Sequence, residues 1–114
     1  MKVIYKRKPA DGTIPRLIFG REYLVVGLDD ENYRVVDEDS EPILYARECF
    51  DVTDASIPPD WVRDEGRAGD YYIDPPECAK RGFYEAYFDD KPEAVATFNR
   101  VLARLRAGEE EGGE

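Results

Sequence analysis

Histidine is absent from this 114-residue chain, and no other shortage restricts its chemistry as much. Without imidazole there is no side chain whose ordinary pKa places a general base near neutral pH. Neither a histidine triad nor a histidine-ligated metal site can be built. Cysteine is nearly as scarce. Cys49 and Cys78 stand 29 positions apart with no second pair, so they make neither a disulfide framework nor a zinc-ligand set, and two separate buried thiols are expected. Long apolar runs are missing as well. No stretch approaches the roughly 20 residues that span a bilayer, and Met1 to Lys8 lacks the apolar core and cleavage site of a signal peptide. The expected address is the cytoplasm, with no membrane contact. A P-loop, a glycine-rich nucleotide fingerprint, a nucleophile elbow and a Cys-x-x-Cys pair are all missing. Carboxylate pairs can hydrolyse glycosides without histidine, but 26 acids bring some pair to the right separation in any fold. The chain therefore reads as a non-enzyme, with no catalytic residue, no metal and no cofactor.

What is plentiful is charge. Hydrophobic residues make up 42% and charged residues 37% of the chain, a balance that suits a globular domain rather than a disordered one. A domain of this length buries roughly two-thirds of its unfolded surface. The net charge of −10 argues against direct binding to nucleic acid or anionic membranes, which needs clustered Lys and Arg. It is unevenly spread. Residues 1–21 carry six basic side chains against one acid, a balance of +5, whereas residues 22–93 carry seven against 21, a balance of −14.

Lys2 to Lys8 alternates apolar and basic residues, which predicts a half-buried strand ended by Pro9. A turn-rich loop follows, through Asp11-Gly12 and Pro15. Glu22 to Leu28 predicts a central strand with two apolar faces, Tyr23, Val25 and Gly27 on one and Leu24, Val26 and Leu28 on the other. Two acidic turns, Asp29 to Asn32 and Asp37 to Ser40, bracket a strand at Tyr33 to Val36. Pro42 delays the next strand to Ile43 to Ala46. Arg47 to Cys49 fits one 3₁₀ turn before a strand at Phe50 to Thr53.

Gly20 to Val26 (GREYLVV), Tyr33 to Ser40 (YRVVDEDS), Ile43 to Tyr45 and Cys49 to Val52 (CFDV), behind a basic first strand and a long loop, resemble small bacterial and phage domains with a Src-homology-3-like (SH3-like) barrel. Those domains run a Gly-Lys/Arg-x-Tyr-x-Val strand into a Tyr-Arg-Ile/Val-Ile/Val-Asp strand, a turn, a Tyr-Leu-Tyr segment and a closing Leu-Phe strand. The resemblance covers about residues 2–53 and implies a fold, not an activity. One departure is Ser40-Glu41-Pro42, where such domains carry Ser-Gly-Glu.

Residues 54–73 read as a linker with a possible extra strand at Tyr71 to Ile73, and Arg63 to Asp70 as a surface loop. Asp74-Pro75-Pro76-Glu77 has the residues of a helix start, with Gly82 as the stop. Phe83 to Phe88 predicts one or two helical turns. From Pro92 to Arg106 the apolar residues Ala94, Val95, Phe98, Val101, Leu102 and Leu105 form one helical stripe, ended by Gly108. The expectation is an α+β protein: a small antiparallel SH3-like β-barrel of about five strands over residues 1–53, a helical segment at 74–108 packed on it, and a disordered acidic tail at 109–114.

Two surfaces are candidates for contact. Asp29, Asp30 and Glu31 occupy one turn and Asp37, Glu38 and Asp39 the other, roughly 15 Å or more apart by strand rise. They do not form one metal cage, and the 12-residue calcium loop is missing. Tyrosine joins an apolar body to a polar tip, which suits interfaces, and among the aromatics Tyr45, before the 3₁₀ turn, and Trp61 are the picks for a groove. The leading expectation is a non-catalytic protein-binding module with an acidic, Tyr-rich surface and a partner that is basic. The alternative is a small acidic inhibitor, of immunity or phage counter-defence type, that mimics nucleic acid on a basic partner protein. Self-association through the same aromatics is a further possibility.

Overall fold

A computed structural model describes residues 1–65 and 70–112, with side chains followed to residue 108. These residues form β1 (Lys2–Tyr5), β2 (Glu22–Asp29), β3 (Asn32–Val36), β4 (Pro42–Ala46), a 3₁₀ turn (Arg47–Cys49), β5 (Phe50–Asp54), β6 (Val62–Glu65), β7 (Tyr71–Asp74), α1 (Phe83–Phe88) and α2 (Pro92–Gly112). The α+β class and the C-terminal helix agree with expectation.

β2 is the hub of the antiparallel sheet. Its first half pairs with β1 at Tyr23↔Val3, its second half pairs with β7 at Leu28↔Ile73, and its other edge pairs with β3. The main ladder runs β4-β3-β2-β1-β5. Its end strands, β4 and β5, do not pair among the described residues, so the sheet is open where a closed barrel was expected. The three-residue 3₁₀ turn carries the chain across the gap. There the rings of Tyr45 and Phe50 meet edge to face at 6.4 Å, side chains bridging what a backbone ladder would otherwise close.

The expected alternation of β2 holds only halfway. Val25 faces Val35 but Gly27 faces Arg34, so Val26 is an extra residue in the pairing, a β-bulge. A one-residue slip exchanges the faces. Leu28 therefore joins Tyr23 and Val25 in the inner core, while Val26 packs in a second, outer core. Gly27 leaves the face of Tyr23 and Val25, contrary to the regular pattern, because a bulge cannot be seen in apolar residues alone.

The outer core is where the helices dock. Phe98, Val101 and Leu102 of α2 bury against Val26 and Val36, with Tyr84 and Tyr87 of α1 alongside, and the predicted stripe is the buried face. α2 continues past Gly108 to Gly112, and the expected disorder of the tail at 109–114 falls partly outside the described residues.

Two local expectations change. Val62–Glu65 is a strand with every side chain exposed, although Arg63 to Glu65 fell within the surface loop expected from the sequence. One apolar residue followed by three charged ones carries no strand pattern, and what holds β6 is backbone pairing to β7, from Val62↔Asp74 to Glu65↔Tyr71. Asp74 to Glu77 forms a single turn instead of a helix, the amides of Cys78 and Ala79 both donating to the Pro75 carbonyl. Asp74 is the last residue of β7, and its carboxylate lies over Gly27 instead of accepting from the amides of the turn. Gly82, expected to end a helix, instead precedes α1 with φ 78°, a conformation open to glycine.

Candidate functional site

The charge segregated along the sequence is paired in space. The loop between β1 and β2 crosses to the second acidic turn, where Arg16 holds Asp39 at 2.9 Å and Arg21 holds Glu38 at 2.9 Å. Glu38 also accepts from the Tyr23 hydroxyl at 2.5 Å. That bond, then Arg21, holds the Glu38 carboxyl below its usual range, and the hydrogen bond from Arg16 does the same for Asp39.

Asp29 and Asp37 are buried, at 8% and 7% exposure, and each holds a turn together. Asp29 accepts from the amides of Glu31 and Asn32. Asp37 accepts from the amides of Asp39 and Glu41 and from the Tyr45 hydroxyl. Asp residues are favoured in turns because the side chain can bond the backbone two residues on. Of the six carboxylates singled out in these turns, Asp30 and Glu31 are left exposed without an ion pair among the described residues.

Tyr45 and Trp61 lie in different places. The Tyr45 hydroxyl donates to Asp37 at 3.1 Å and accepts from the Arg16 amide at 3.3 Å. Burial is the main cause that pushes it up to about 12. It lines a cleft of about 470 Å³ between β4 and the β1–β2 loop, with Ile14 and Leu44. Replacing Tyr45 by phenylalanine removes one buried donor and is expected to cost ~1 kcal/mol in urea unfolding. Trp61 is 9% exposed and belongs to the inner core, beside a larger cavity of about 670 Å³ between the linker and α2.

A third cleft, of about 470 Å³, lies on the outer face of the sheet under the segment leading into α1. Its floor is one row of side chains running across five strands. Leu44 of β4 faces Arg34 of β3, Arg34 faces Gly27 of β2, and Val62 of β6 faces Asp74 of β7. Asp74 closes the row by lying over Gly27, where a β-carbon would overlap its carboxylate. A glycine inside a strand marks such a close approach.

Arg34 donates to the Pro42 carbonyl at 2.9 Å and stacks on the Tyr84 ring at 3.7 Å from its centroid. Burial disfavours its charged form, yet a guanidinium starts so high that it stays a cation. The Asp74 carboxylate has no hydrogen bond or ion pair among the described residues, although its backbone pairs with Val62. Burial raises its carboxyl to about 6, opposed by Arg34 and reinforced by Asp29. The Tyr84 hydroxyl is buried with no oxygen or nitrogen partner, and the Cys78 thiol is near enough to serve as a weak hydrogen-bond partner.

None of Arg34, Gly27 or Asp74 stood out in the sequence as contact residues. A charged residue inside an apolar strand and a glycine inside a central one were the available signals. Cys49 and Cys78 are both buried and unbonded, in the inner and outer cores respectively. Burial raises both thiols, Cys78 to about 11, which keeps them unreactive. Among the described residues no helix is long and apolar enough to cross a membrane. No family model, curated protein or solved structure was found to match the chain.

Proposed function

We propose that this chain is a non-catalytic protein-binding module on an SH3-like scaffold, with an acidic, Tyr-rich surface and a basic protein partner. The SH3-like reading draws support from the connectivity: a long loop between β1 and β2, tight turns from β2 to β4, and a 3₁₀ turn before β5, in the order of the resemblance over residues 2–53. The observation that carries the binding reading is the exposed apolar surface of two clefts that share Leu44. Ile14 is 90% exposed, Leu44 42%, Val62 42% and Tyr72 47%. Grouped apolar residues with a charged rim mark interaction surfaces.

Leu44→Asp tests this without touching either core. The wild-type protein is expected to capture a protein from a lysate of its source, and the variant at least about tenfold less, with unchanged circular dichroism. Equal capture by the two, or no captured protein, would overturn the reading. The inhibitor alternative needs a row of unpaired carboxylates, to which the two acidic turns contribute Asp30 and Glu31. It would show itself as capture that collapses with added salt.

A further inference from the structure

We propose that the cleft over Gly27 is a receptor for an arginine side chain of the protein partner, held by the Asp74 carboxylate on the floor beside Tyr72. This rests on reading the chain as a binding module and names what the module grips.

An unpaired carboxylate in a partly buried place is unfavourable on its own. Asp74 is in that position: it lies over Gly27 and no side chain or amide among the described residues donates to it. Arg34 is the nearest candidate on the same row, but it is committed elsewhere, to the Pro42 carbonyl and the Tyr84 ring. The acceptor is therefore open to a donor from outside.

The charge of the cleft selects the sign of that donor. Among the residues that line the cleft, the carboxylates of Asp29, Asp64, Asp74 and Glu85 stand against the cations Arg34, Lys80 and Arg81. The lining thus keeps one negative charge in excess, which disfavours an anion and favours a cation.

Shape selects arginine among cations. About 470 Å³ falls within the roughly 300–1,000 Å³ of ligand sites. Val62, directly across from Asp74, offers an apolar surface to a methylene stem. A planar guanidinium matches a carboxylate with two parallel hydrogen bonds and stacks on aromatic rings, which an ammonium does less well. The ring of Tyr72, 47% exposed, stands at the mouth, and Asp64 lies directly across from it.

The test is a nuclear magnetic resonance titration of the full chain with N-acetyl-arginine methylamide and, separately, with its neutral citrulline isostere. The arginine probe is expected to shift the amides of Tyr72, Asp74 and Val62, and the citrulline probe to shift none of them. In Asp74→Asn, which keeps the side-chain shape, arginine binding should weaken at least about tenfold, the loss of one charge-assisted pair. No shift with arginine, equal binding of the two probes, or unchanged binding by the variant would overturn the proposal. If a partner is captured through Leu44 while arginine is inert, the named occupant fails and the module reading stands. If arginine binds and no partner is captured, the site stands and the module reading fails.

Discussion

Replacing Phe98 by alanine is expected to destabilise the protein by ~3–5 kcal/mol, a loss of transfer free energy plus the cavity left behind. Phe98 is fully buried and sits where three elements meet, with the Tyr87 ring edge to face at 5.1 Å and Val26 of β2 in the same cluster. A domain of this size has about 5–15 kcal/mol to lose, so the variant should unfold at a much lower urea concentration. The inner core does not contain Phe98. Detachment of α2 with the sheet retained would then appear as two transitions in Phe98→Ala, whereas a single shifted transition would mean that the two cores fold as one unit.

The second expectation runs in the opposite direction. Asp74→Asn should stabilise the protein at neutral pH. Burial raises the Asp74 carboxyl from 3.8 to about 6, so between those values the folded state binds more protons than the unfolded state. Stability from this group is present below the unfolded pKa and is lost as pH rises through the folded one. A shift of this size corresponds to roughly 3 kcal/mol at full strength, and partial exposure reduces it to ~1–2 kcal/mol. The variant should exceed the wild type by that amount at about pH 7.5, and the two should converge below about pH 4. The carboxylates of Glu38, Asp39 and Glu77 are lowered by hydrogen bonds and act in the opposite sense, so only the difference between variant and wild type isolates Asp74. A variant less stable than the wild type at neutral pH would mean that the carboxylate has a partner in the fold.

Sequence pattern reached some elements and not others, for physical reasons. The stripe from Ala94 to Leu105 was legible because a helix repeats its buried face within eleven residues, and α2 buries that stripe. The two acidic turns were legible as turns. Their burial was not, since a solvated Asp and one that holds three hydrogen bonds, such as Asp37, look alike in one dimension. The bulge at Val26 defeated simple alternation, and β6 had no apolar pattern to find. The cleft floor was hidden most thoroughly. Leu44, Arg34, Gly27, Asp74 and Val62 come from five strands, and nothing but the registers between those strands sets them side by side.

Those registers yield a carboxylate that the fold desolvates and leaves unpaired, and it can be observed directly. The side-chain carboxyl carbon of Asp74, followed by nuclear magnetic resonance as a function of pH, should titrate with a midpoint near 6. A midpoint at or below the ordinary 3.8 would place Asp74 in water or in an ion pair, and the cleft would have no open acceptor to offer.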